Sequence, residues 1–80
     1  MKREWVRHVL APDEKREWRV RPKGCGHRWL VFSPDNVVTE YVSGTIAIDV
    51  GRRMAQEARE VLLIYGSDDR VFSVEDYQLH

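Results

Sequence analysis

Hydrophobic and polar positions alternate in the first half of the chain and take up a helical period in the second. In Glu17-Trp-Arg-Val-Arg21, Trp18 and Val20 share one side and Glu17, Arg19 and Arg21 the other, the signature of a half-buried strand. The turn Pro22-Lys-Gly-Cys-Gly26 separates it from His27-Arg-Trp-Leu-Val-Phe32, so the two segments read as a hairpin. In the second of these, Trp29 and Val31 point one way and Leu30 and Phe32 the other. Such a strand is either central or offers one face to a partner. Ser33-Pro-Asp-Asn36 is the next turn, and Val37 to Val42 forms the third arm of a meander. Upstream, Trp5 to Leu10 reads as a further strand closed by Ala11-Pro12-Asp13.

Ser43 or Thr45 is placed to cap a helix starting near Ile46. At 100° per residue, Ile46, Ala47, Val50, Gly51, Met54, Ala58 and Val61 fall within an arc of about 140° and the charged residues lie opposite. Gly51 sits on the apolar face, which predicts close approach of helix to sheet. Glu60 to Tyr65, the turn Gly66-Ser-Asp-Asp69 and Arg70 to Glu75 complete the chain as two more strands. The expected fold is α+β: one amphipathic helix on one face of a mostly antiparallel sheet, in the order ββββαββ, within a single small domain spanning residues 1–80.

Length and composition narrow the function. Eighty residues leave room for one core, and the longest apolar runs, such as Val61 to Tyr65, are far below the roughly 18–20 residues a membrane span needs. No membrane partner is expected. The N-terminus shows no apolar stretch of the kind that marks export, which predicts a cytoplasmic protein. The formal charge is zero, yet residues 1–40 carry nine basic and six acidic side chains, and residues 41–80 four and seven. Arginine dominates the basic set, which favours recognition of carboxylate or phosphate over mere solubility.

Candidate chemistry is sparse. Cys25-Gly26-His27 brings two metal-competent side chains together, but zinc needs about four ligands in paired spacing, and His8 and His80 could join only through the fold. The same pair lacks the oriented base and oxyanion site that a catalytic thiol requires. Gly24-x-Gly26 is too short for a dinucleotide loop, and a strand follows it where a helix is needed. Asp68-Asp69 reads as a solvated turn. Neither enzyme, metal nor cofactor is expected.

The most informative cluster is Trp5, Trp18 and Trp29 with Arg7, Arg19, Arg21 and Arg28 on adjacent strands. Tryptophan and arginine are enriched at binding hot spots and also build single-strand nucleic-acid platforms. The plainer alternative puts the tryptophans under the helix and leaves the arginines solvated on the outer face. The mixed-sign helix surface, with Arg52, Arg53 and an expected Asp49–Arg53 pair, is a further candidate contact. Trp5, Arg7, Arg19, Arg21, Arg28, Arg52 and Arg53 are therefore the expected binding residues. A protein partner is expected first, a nucleic acid second, and a homodimer is compatible with either.

The residues Trp18-Arg-Val20, Gly24-Cys-Gly26 before Trp29-Leu-Val31, Met54, Ala55 and Ala58, and Val61-Leu-Leu-Ile-Tyr-Gly66 before Arg70-Val71 resemble a family of short bacterial proteins of unknown function built as hairpin, Ala-rich helix and closing hairpin. That resemblance implies a fold and no activity. Leu63-Ile-Tyr-Gly-Ser67 followed by Val71-Phe72 is similar to the ending of some small phage anti-CRISPR proteins. This second resemblance implies a steric inhibitor of a CRISPR effector complex. The balanced charge departs from the strongly acidic, DNA-mimicking pattern common among those proteins.

Overall fold

A computed structural model describes residues 16–24 and 28–78. Strands β1 (Glu17–Lys23), β2 (Arg28–Phe32) and β3 (Val38–Tyr41) are followed by helix α1 (Gly44–Ala58) and by strands β4 (Val61–Tyr65) and β5 (Val71–Asp76). The fold is α+β. The expected strand from Trp5 to Leu10 lies outside the described residues.

The five strands form one mixed sheet in the order β3-β2-β1-β4-β5. Three ladders are antiparallel, while β1 and β4 run parallel. The parallel pair follows from connectivity. Helix α1 leaves edge strand β3, crosses one face of the sheet and delivers β4 beside β1, where the chain arrives in the same direction.

The core lies between α1 and that face. Val20, Val31, Ala47, Ala55, Leu62 and Ile64 are buried there, with Trp18, Trp29, Tyr41, Ile48 and Tyr77 packed around them. The buried residues of the helix are Ala47, Gly51 and Ala55, spaced four apart. A Cβ on Gly51 would meet Val20 Cγ2 at 2.7 Å and Leu62 Cδ1 at 3.2 Å, which is the close approach expected of this glycine. The contact stripe is rotated from the expected arc towards Ile48 and Ala55, and Ile46 is 46% exposed. Small side chains, which bring the helix axis nearest the sheet, set its orientation in preference to the larger aliphatic ones.

Ser43 is the N-cap, its hydroxyl accepting from the Ile46 amide at 3.1 Å. The helix ends at Ala58, so Val61 belongs to β4 and not to the helical stripe. Arg59 terminates it in a left-handed conformation (φ 58°, ψ 50°), donating its amide to the Ala55 and Gln56 carbonyls. The expected Asp49–Arg53 pair does not form: Arg52 reaches off the helix to Glu75 on β5 instead, at 2.8 Å. The Arg52 contact is bidentate, with Nε and Nη2 both donating to the Glu75 carboxylate, whereas Arg53 has no carboxylate partner among the described residues.

Candidate binding surface

The alternation of β1 and β2 splits the expected tryptophan–arginine cluster between two faces. Trp18 and Trp29 lie on the helix side. Trp18 donates its indole N–H to Glu60 Oε1 at 2.7 Å, and Trp29 packs so tightly on the start of α1 that a Cβ on Gly44 would lie 2.9 Å from its ring. Arg19, Arg21 and Arg28 point away from the helix. Arg52 and Arg53 belong to α1, on the far side of the molecule from those three. Trp5 and Arg7 lie outside the described residues. The seven expected binding residues therefore do not make one described patch.

What the outer face does present is ordered by the strand register. Val38, Phe32, Arg19, Leu63 and Val74 stand side by side across all five strands. The next row contains Glu40, Leu30, Arg21, Tyr65 and Val71. A register shift beside Tyr65 leaves Phe72 as an extra residue, 81% exposed. Val38, Val71 and Val74 are each about half exposed or more. The exposure is greatest along β5 and at Val38, whereas Val61, between Glu17 and Asp76 on the same side, is only 4% exposed; a charged central strand runs between two apolar flanks.

The cations on this face are held by carboxylates. Arg19 pairs with Glu17 at 3.0 Å, Arg21 with Asp69 at 2.8 Å, and Lys23 and Arg28 share Glu40 at 3.1 and 3.2 Å. Arg21 also lies 4.8 Å from the centre of the Tyr65 ring, a cation–π distance. Hydrogen bonds from Arg21 pull the Asp69 carboxyl below its ordinary pKa and raise that of Arg21 itself. Elsewhere Arg16 bridges Asp35 and Glu60. Among the described residues, Arg53, Arg59 and Arg70 are the cations without a carboxylate partner, and they do not gather on one strand or helix turn.

Beside the helix, a cavity of about 190 Å³ opens between α1 and β3, lined chiefly by Trp18, Val31, Val37, Tyr41, Val50 and Met54. Its walls carry no charged side chain. Among the described residues no cluster of three His, Cys, Asp or Glu side chains could hold a metal ion, and Cys25, His27, His8 and His80 lie outside them. No helix of the described residues is long and apolar enough to cross a membrane.

Leu30 and Phe32 lie on the side opposite Trp29 and Val31, as the alternation of that strand predicts. The outer-face residues missed at the level of sequence are Leu63, Phe72 and Val74. The fold and this open face define a small α+β protein with one side of its sheet covered by a helix. Comparison with protein-family models, with curated proteins and with solved structures finds no match.

Proposed function

We propose that the protein is a non-enzymatic binding protein that works by burying the open sheet face against another protein. The observation that carries this reading is the continuous row from Val38 through Phe32, Arg19 and Leu63 to Val74. Antiparallel sheets commonly leave one side to water, but that side is then polar. Here it combines aromatic and aliphatic flanks with an arginine-bearing centre, the mixture enriched in protein interfaces. Arg19, Arg21 and Arg28 are the expected binding residues that remain on this surface. Arg52 and Arg53 would serve a separate, secondary contact.

The specific form supported by the sequence resemblance is a steric inhibitor of a host defence complex, in the manner of small anti-CRISPR proteins. A balanced charge suits direct contact with a protein better than imitation of DNA. The nucleic-acid reading is weaker, because cations already paired with carboxylates release few counterions on meeting phosphate.

The test is expression in bacteria whose CRISPR system destroys an incoming plasmid. The native chain should restore transformation, and Phe72→Glu with Val74→Glu should abolish the effect while the folded protein accumulates normally. Restored transformation by that double variant would remove the open face from the mechanism. Binding to short oligonucleotides that collapses as salt rises would favour the nucleic-acid reading instead.

A further inference from the structure

We infer that the segment Trp5-Val-Arg-His-Val-Leu10 packs along the apolar groove between α1 and β3 of its own chain and closes the cavity there. The groove lies on the helix side of the sheet, opposite the open face.

Residue spacing builds this groove. Ile46, Val50 and Met54 recur every fourth residue and form one stripe of α1, beside the buried stripe of Ala47, Gly51 and Ala55. Opposite them, Val37, Thr39 and Tyr41 are the alternate residues of the β3 segment that face the helix. Trp18 and Val31 complete the lining. Although these walls are largely apolar, Val37 is 65% exposed, Ile46 46% and Met54 40%. An apolar cavity of about 150 Å³ admits a benzene ring. The cavity of about 190 Å³ here has room for one bulky apolar side chain.

The chain enters the described fold at the mouth of the groove. Arg16 Nη2 donates to Asp35 Oδ2 at 3.0 Å, and the Asp35 amide donates to Oγ of Ser33, a residue of the cavity wall. Trp18, two residues after Arg16, lines the same cavity. The helix finishes at this end too, because Glu60 accepts from both Arg16 and Trp18. Val37 and Met54 therefore mark the near end of the groove, and Tyr41 and Ile46 the far end. The five residues between Leu10 and Arg16 reach up to about 17 Å. Two strand spacings, about 10 Å, separate β1 from β3, which leaves slack for a turn at Pro12-Asp13. Val37 to Tyr41 measures about 13 Å along the strand. Trp5 to Leu10, drawn out, covers up to about 17 Å and so can line the whole groove.

The segment has the chemistry the groove lacks. Trp5, Val6, Val9 and Leu10 are apolar. On the solvent border of the helix stripe, Asp49, Arg53 and Glu57 follow one another at four-residue spacing, and neither carboxylate makes an ion pair among the described residues. That border is one negative charge in excess, and the segment and its flank bring Lys2, Arg3 and Arg7 against Glu4. A segment tethered at the mouth also meets the groove at a high effective concentration, an advantage no separate partner has. Trp5 on this account closes the fold and leaves partner binding to the outer face.

Nuclear Overhauser contacts in the full chain, with methionine methyl groups labelled, test the inference. The Met54 methyl should show contacts to side chains within residues 5–10, and mixing labelled with unlabelled chains should leave those contacts within one molecule. Hydrogen peroxide reads the same cover chemically. Met54 should be converted to its sulfoxide several-fold more slowly in the native chain than in Trp5→Ser with Leu10→Ser. Contacts of Met54 confined to the groove walls, or equal oxidation rates in the two folded proteins, would overturn the inference. Contacts found only between different molecules would give the groove to a second copy and overturn it as well. If circular dichroism shows the double variant unfolded, the Overhauser contacts of the native chain decide alone.

Discussion

Gly51 on the helix and Val20 on the central strand are in such close contact that a Cβ added to the glycine would lie 2.7 Å from Val20 Cγ2. Val20 and Leu62, the second neighbour, are fully buried, and valine is stiff about χ1. The helix therefore has no room to accept a methyl group. Gly51→Ala should gain nearly 1 kcal/mol in helix propensity and lose about 1–3 kcal/mol to overpacking, a net destabilisation. Urea denaturation measures it; a higher midpoint in the variant would show that helix and sheet can separate freely.

Arg59 closes the helix with φ at 58°, a conformation that costs a non-glycine residue free energy. Its side chain makes no ion pair to offset that cost. Arg59→Gly should accordingly raise stability by about 0.5–1 kcal/mol, visible as a higher melting temperature. An unchanged or lower melting temperature would mean that the gain in unfolded-chain entropy cancels the relief of strain.

Trp18 joins strand β1 to the residue just before β4 through its indole bond to Glu60, which also receives Arg16. Removing the acceptor with Glu60→Leu leaves the half-buried indole N–H and the Arg16 guanidinium without it, at a cost of about 1–3 kcal/mol. The Trp18 indole proton resonance should shift in a two-dimensional NMR spectrum, with the Trp29 signal far less affected. Equal shifts of both would indicate a general loosening of the sheet.

Acid should weaken the fold through Glu75. Hydrogen bonds from Arg52, and then from Tyr77, hold its carboxyl below the ordinary value of 4.5. A depressed folded-state pKa gives stability that is present above the unfolded value and lost as pH falls from about 4.5 through the folded value. Tyr77 moves the other way: burial first, and then its bond to Glu75, raise its pKa above 10.0, so its contribution is lost as pH climbs beyond that value. Arg52→Ala should flatten the acid limb of a stability-versus-pH curve and cost about 0.2–1 kcal/mol at neutral pH, the range of an exposed ion pair. An acid limb unchanged by Arg52→Ala would assign it to other carboxylates.

Much of the architecture was legible because it is local. The alternation of Trp18 and Val20 with Arg19 and Arg21 places those side chains on the faces they occupy, and Ser43 caps the helix as its residue type allows. The parallel pairing of β1 with β4 was not legible, since it joins segments separated by two strands and a helix. The same holds for Arg52 and Glu75, brought together only by the crossover. Of the two readings of the tryptophan–arginine cluster, β1 and β2 follow the one that puts Trp18 and Trp29 under the helix and leaves the arginines on the outer face. Trp18 and Arg19, or Arg28 and Trp29, are adjacent in a strand and must face opposite ways. The spacing of Ala47, Gly51 and Ala55 likewise pointed to the true contact stripe of the helix.

The open sheet face is the centre of this account, and site-specific photo-crosslinking in cells tests it most directly. A photoreactive phenylalanine analogue replaces Phe72 on the sheet in one version of the protein and Arg53 on the helix in the other. Protein adducts are expected from position 72, of one mass or a few, that disappear when Arg21→Glu is added, with a lower yield from position 53, the secondary contact. Adducts from position 53 with none from 72, or adducts from 72 indifferent to Arg21→Glu, would contradict it.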